Sequence, residues 1–163
     1  MRIDGYSRPI DLCVKITIEE DGVLCDWAGT TGVDKNGINV PLVYTKAYTC
    51  YALKCAIAPE IPNNAASLEP FRITAPEHTI VNAVWPAPVA LRHIIGHMVP
   101  DTIYDALDKI LPGVAPAEGA GSLCNFQVSL RPRNDAAVPA DAVRAEVLTF
   151  NSGGSGARPT LDG

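Results

Sequence analysis

The segment from Asn82 to Pro112, NAVWPAPVALRHIIGHMVPDTIYDALDKILP, limits what this chain can become more than any other stretch. Leu91, Ile94, Ile95 and Met98 recur at three- and four-residue intervals, and Ile103, Ala106, Leu107 and Ile110 repeat the pattern, the spacing of one apolar helix face. Such a face must be buried, so the rest of the chain is expected to pack on this segment. Pro86 and Pro88 end the extended stretch before it and suit a helix start, which the spacing puts near Val89. Pro100 is expected to interrupt the helix, Asp101 to cap a second piece, and Pro112-Gly113 to stop it.

Three polar residues, Arg92, His93 and His97, sit in the first piece. The histidines are four apart, the spacing of a two-histidine metal grip. A zinc-protease pattern would need a glutamate after the first, where Ile94 stands, and no third ligand is evident, so ordinary packing is the reading adopted. An always-charged guanidinium on an apolar helix needs a partner. For Arg92 a salt bridge is expected, or contact with the carbonyls of the glycine-rich tail or with Asp162.

Strand signals lie on either side. Ile10, Leu12, Val14, Ile16 and Ile18 alternate with polar residues or Cys13, Asp21-Gly22 supplies a turn, and Val23, Cys25 and Trp27 alternate again, predicting a hairpin over residues 10–28. Asn39 is expected to cap a helix with Pro41 in its first turn, running to about Ala58. Tyr44, Tyr48 and Tyr51 on that helix read as amphipathic core, with one hydroxyl facing a polar pocket as the alternative. Short strands are expected at 71–74, 79–84, 126–130 and 145–150, with an exposed turn at 131–135. The resulting fold class is α+β (mixed α/β), hairpin and short strands packed on the central helical unit. Residues 1–150 form one domain, and residues 151–163 a glycine-rich tail or the start of a further segment.

At 163 residues with 47% hydrophobic content, the chain suffices for one packed core. A net charge of -5 spread along the chain gives no basic footprint for nucleic acid and no cationic face for a membrane surface, and no apolar run is long enough to span a bilayer. With no secretion signal after Met1, a cytoplasmic location is expected. Five scattered cysteines without a CxxC read as reduced, mostly buried thiols rather than a disulfide framework or zinc site. Neither a P-loop nor a GxGxxG is present.

Several stretches together carry a resemblance: Asp26-Trp27-Ala28-Gly29-Thr30, Gly37-Ile38-Asn39-Val40-Pro41, Ile61-Pro62-Asn63-Asn64, the block 82–112, and the tail Gly153-Gly154-Ser155-Gly156-Ala157-Arg158 with Asp162-Gly163. In this order the chain resembles an internal portion of the B-type subunit of hydantoinases and 5-oxoprolinases, a family that includes acetone and acetophenone carboxylase subunits. The resemblance implies a multi-subunit cytoplasmic enzyme in which an A-type partner binds ATP and phosphorylates the substrate oxygen, while the B-type chain completes the reaction. ATP and a divalent metal are accordingly expected on other chains, and none in this one. The partners implied are the A-type ATP-binding chain and other B-type chains, with no nucleic acid and no membrane.

The family's histidine- and aspartate-rich region is absent from the sequence, so the isolated chain is expected to be inactive. It is read as part of an ATP-dependent carboxylase complex acting on a ketone, supplying scaffold and a pocket edge. The alternatives are part of an ATP-dependent cyclic-amide hydrolase or a catalytically silent assembly subunit. The matched motifs give as substrate-binding candidates Asn39, Asn64, Arg92, Gly153, Gly154 and Arg158, with no catalytic residue and no metal ligand assigned. Where the family usually has glycine, this chain has Ala65 and His78, and altered substrate contacts are expected in those two loops.

Overall fold

A computed structural model describes residues 1–121, 123–130 and 145–162. The chain opens with two short strands, β1 (Arg2–Ile3) and β2 (Ile10–Asp11), paired antiparallel. β3 (Lys15–Glu19) and β4 (Gly22–Asp26) form the expected hairpin, closed at Glu19 and Gly22. The alternation from Ile10 onward is therefore split between two sheets instead of running as one strand. The cause lies in two threonines: Thr31 Oγ1 accepts from Asp11 N at 2.8 Å, and Thr30 Oγ1 accepts from Cys13 N and donates to Cys13 O, both at 3.0 Å. These side chains take the backbone groups that a continuous ladder would have used. Burial still follows the period of two through Ile10 and Leu12, and lapses at Ile18, which is exposed.

Helix α1 (Leu42–Ile57) follows, then a short helix α2 (Ala65–Leu68) and strand β5 (Phe71–Thr74), which joins β4 in parallel, from Val23 opposite Phe71 to Asp26 opposite Thr74. Arg72 reaches across the sheet to Glu19 and to Asp21, the latter at 2.9 Å. Its guanidinium beside Asp21 holds that exposed carboxyl below the usual range. The expected strand at 79–84 is instead a knot of turns. Ile80 and Val81 are fully buried in it, their chain tied by Ile80 N to Thr31 O, Val40 N to Ile80 O and Asn82 Nδ2 to Ala75 O, each at 2.8 Å.

The central helical unit is shorter and later than its spacing suggested. Residues 90–92 are turns, α3 covers only His93–Gly96, and α4 runs Met98–Asp108. The break falls at His97 rather than Pro100, which sits in the first turn of α4, where a missing backbone N–H breaks no helical bond. Leu91 and Ile110, expected in the buried stripes, are exposed because both lie outside the helices. Ile95, Val99, Ile103 and Leu107 supply the buried face and meet Trp27, Leu12, Val40 and Leu53 in one core. Last comes the antiparallel hairpin of β6 (Cys124–Leu130) and β7 (Ala145–Asn151), whose Phe126, Val128 and Leu130 stay exposed. The turn expected at 131–135 lies outside the described residues.

Candidate functional site

Helix α1 lies against α3 and α4, and one small residue sets how closely. A Cβ on Gly96 would fall 2.3 Å from the Tyr44 ring, so glycine lets the tyrosine lie across the α3 backbone. The seam is then filled by stacked rings: Tyr44 on Tyr48 at 4.5 Å between centroids, Tyr48 on His97 at 6.2 Å, and His97 edge-on to His93 at 6.2 Å. Burial, helped by the Tyr48 hydroxyl, pushes the Tyr44 phenol up.

At the open end of this seam is a cleft of about 210 Å³, lined by Tyr48, His97, Asp101, residues 119–121, Ser152 and Gly154. Two glycine-rich segments close it by hydrogen-bonding to each other, Ala120 N to Gly154 O at 3.0 Å and Ala117 N to Ala157 O at 2.8 Å. Gly156 is essential to that contact, since a Cβ there would stand 1.8 Å from Ala117 O. A segment with the composition of a linker is thus laid against the domain.

Two ionisable groups of the cleft, His97 and Asp101, move in opposite directions from their ordinary values. Burial and the nearby His93 lower His97, although Asp101 opposes them. Burial and Glu118 raise Asp101, against the pull of His97. The surroundings thus favour the neutral imidazole of His97 and the protonated carboxyl of Asp101 more than water does. Among the described residues, no group of three or more His, Cys, Asp or Glu side chains is arranged to hold a metal ion.

The structure separates most of the residues singled out from the sequence. Asn39 does not cap α1, whose N-cap is Pro41; it is buried, its amide donating to the carbonyls of Asp34, Asn36 and Pro88 at 2.8, 3.0 and 2.8 Å and its oxygen accepting from Asp34 N at 2.7 Å. That uses every hydrogen-bonding group of its side chain except one lone pair. Asn64 caps α2 in a reciprocal box with Ser67. Arg92 is exposed, with Val89 O at 3.4 Å as its hydrogen-bond acceptor, and among the described residues it makes no hydrogen bond to the tail. The expected meeting of Arg92 with the tail is replaced by one between the tail and the loop at 117–120, beside His97 and Asp101. Gly154 lines the cleft, Gly153 precedes it at φ +73°, and Arg158 closes a tight bridge with Leu161.

His78, standing where a glycine was expected, keeps a left-handed backbone at φ +63°, and its carbonyl accepts from Val33 N. The turn survives the replacement. Tyr48 and Asp101 were not singled out as site residues, and His97 was read as packing. The available signal was the run His93, His97 and Asp101 at successive intervals of four, one face of a helix carrying three titratable groups. The cysteines also depart from expectation: Cys25 is buried, its thiol pushed up to about 12 by burial, but Cys50 is only half-buried and Cys13 and Cys55 are exposed. The Cys124 side chain lies outside the described residues.

No helix among the described residues is long and apolar enough to cross a membrane. No solved structure matches the chain. A Pseudomonas protein, named as the putative B-type subunit of a D-/L-hydantoinase, is 32% identical over 135 residues, which span 74% of this chain and 23% of that protein. An uncharacterized protein of Methanocaldococcus jannaschii is 34% identical over 130 residues, 79% of this chain and 23% of the relative. An uncharacterized protein of Schizosaccharomyces pombe is 26% identical over 154 residues, 93% of this chain and 11% of the relative. The chain thus spans a quarter or less of the length of these relatives. The family model for hydantoinase B/oxoprolinase matches residues 1–163, the whole of the sequence, and on that match the chain belongs to the hydantoinase B/oxoprolinase family.

Proposed function

We propose that the chain is a portion of the B-type subunit of an ATP-dependent enzyme that opens a cyclic amide, and that the His97–Asp101 cleft is its contribution to the polar edge of the substrate site. The observation that carries this reading is the family match over all 163 residues, supported by a relative named as a hydantoinase subunit. The name of that relative favours cyclic-amide hydrolysis over ketone carboxylation, while the family itself accommodates both. In the chemistry the resemblance implies, an A-type partner transfers the γ-phosphoryl group of ATP to the ring amide oxygen, which becomes a leaving group. That transfer releases ADP; one water then adds at the activated carbon and the ring C–N bond breaks, leaving an amine and an acyl phosphate, which a second water cleaves to the carboxylate and phosphate.

The residues of this chain fit the second half. With burial favouring its neutral form, His97 accepts the proton that the attacking water loses, while Gly119, Gly121 and Gly154 offer no side chain where a flat ring would approach. Nucleotide and any divalent metal are assigned to partner chains.

The test begins with the native protein, purified with whatever accompanies it. Co-elution with an A-type chain and ATP cleavage that requires hydantoin or 5-oxoproline are the expected results. His97→Asn in that assembly should lower kcat by about 100-fold or more. ATP cleavage that depends on a ketone with bicarbonate instead would move the assignment to carboxylation. Turnover by the pure chain alone would overturn the placement of ATP and metal on partners.

A further inference from the structure

A second cavity, of about 610 Å³, opens on the other flank of the tyrosine seam between α1 and the segment 59–68, and it shares no lining residue with the cleft. That volume lies within the ~300–1,000 Å³ typical of small-molecule sites. Its walls are mostly apolar, with Ala47, Tyr51, Pro59, Ile61 and Leu68 among them. Its unusual member is Lys54, only 5% exposed. The Lys54 ammonium donates to Ile61 O at 2.7 Å, and among the described residues no carboxylate lies within ion-pair distance.

An ammonium has three donors, and a buried one without a counter-ion is costly. Here one donor is used, and the group borders a cavity that also receives Lys46, eight residues earlier on the same helix. Two cations and an apolar wall describe one kind of occupant. We propose that this cavity binds a small carboxylate with an apolar body, its oxygens taken by Lys54 with Lys46 at the rim and its hydrocarbon laid against Tyr51, Ile61 and Leu68. Charge complementarity selects the head group, and the area offered by the walls selects the tail. The half-buried Cys50 on the same wall reports occupancy, because a bound tail covers its thiol. The inference is independent of the hydrolase reading, since neither the cleft nor any partner chain enters it.

The test titrates the purified protein with octanoate, 1-octanol and octylamine, followed by calorimetry and by the alkylation rate of Cys50 read by mass spectrometry. Octanoate should bind saturably and slow Cys50 alkylation, with octanol and octylamine weaker by at least about tenfold. Lys54→Met, checked for native circular dichroism, should lose octanoate affinity by a similar factor while keeping that for octanol. Equal binding of octanoate and octanol by the unaltered protein would overturn the proposal without recourse to any variant. Absence of saturable octanoate binding would overturn it as well, and would leave the cavity to a polypeptide segment.

Discussion

Helices α1 and α4 pack against each other, yet they are buried on different principles. In α4 the buried side chains are Val99, Pro100, Thr102, Ile103 and Leu107, so that of the stripe written in the sequence Ile103 and Leu107 meet the core and Ile110 does not. In α1 the buried positions are Thr45, Thr49, Ala52, Leu53 and Lys54, while Val43, Tyr51 and Ile57 face outward. α4 is held chiefly by apolar transfer from water; α1 adds to the apolar burial of Ala52 and Leu53 a hydrogen bond to a distant segment, Thr45 Oγ1 to Val81 O at 2.6 Å. The helix with the less economical burial is the one that borders both cavities. Where a helix turns polar groups inward and apolar ones outward, packing alone does not explain its sequence, and its outer faces are the place to look for ligands.

The contrast can be broken most severely from the α4 side. Ile103→Ala removes a fully buried side chain from the best-packed stripe and should cost about 2–5 kcal/mol in chemical denaturation. A loss well below that range would mean that α4 is no better packed than its neighbour. At the interface itself, Gly96→Ala drives a methyl into the Tyr44 ring, which cannot swing freely because it is stacked on Tyr48. About 1–3 kcal/mol of destabilisation is expected, with a change in the near-ultraviolet circular dichroism of the tyrosines.

Two threonines sharpen the α1 side. Thr45→Val should cost about 1 kcal/mol because it strands the Val81 carbonyl, whereas Thr49→Val, which removes a buried hydroxyl with no partner among the described residues, should be neutral or stabilising by up to ~1 kcal/mol. Equal losses at the two positions would show that helix propensity, not hydrogen bonding, sets the response. The smallest effect is the pH dependence of His97. Unfolded histidine binds its proton near pH ~6.5, and the folded group binds it only at lower pH, so between these values the unfolded chain holds more protons. Stability should therefore be fully present above about pH 6.5 and decline as the pH falls through the folded value, and His97→Gln should flatten that decline in denaturation midpoints measured from about pH 7.5 to 5.5.

How much of this was legible beforehand differs by element. The hairpin, whose turn falls at Glu20-Asp21 one residue before the expected Asp21-Gly22, strand β5 and the helical character of α4 follow from periods of two and 3.6 and from turn residues, which act over a few neighbours. The extent of α1 was also legible, though its buried face was not, because its apolar residues are distributed around the helix. The start of α3 was misplaced because Leu91 N finds Gly37 O at 2.7 Å, a partner no local rule could foresee. Of the site, Gly154 came from the resemblance, while His97 and Asp101 gained meaning only beside Tyr48 and the loop at 119–121.

By itself, then, the sequence determined most element types, the Ile103 and Leu107 core face of α4 and the family, because periodicity and motif order are properties of a linear string. Tertiary structure alone decided that β5 lies parallel to β4, that Asn39 serves a buried loop rather than a helix cap, and that the glycine-rich tail lies beside His97 rather than Arg92. The reason is common to all three: each depends on which distant backbone groups satisfy one another once water is excluded, and that pairing is fixed only when the whole core closes.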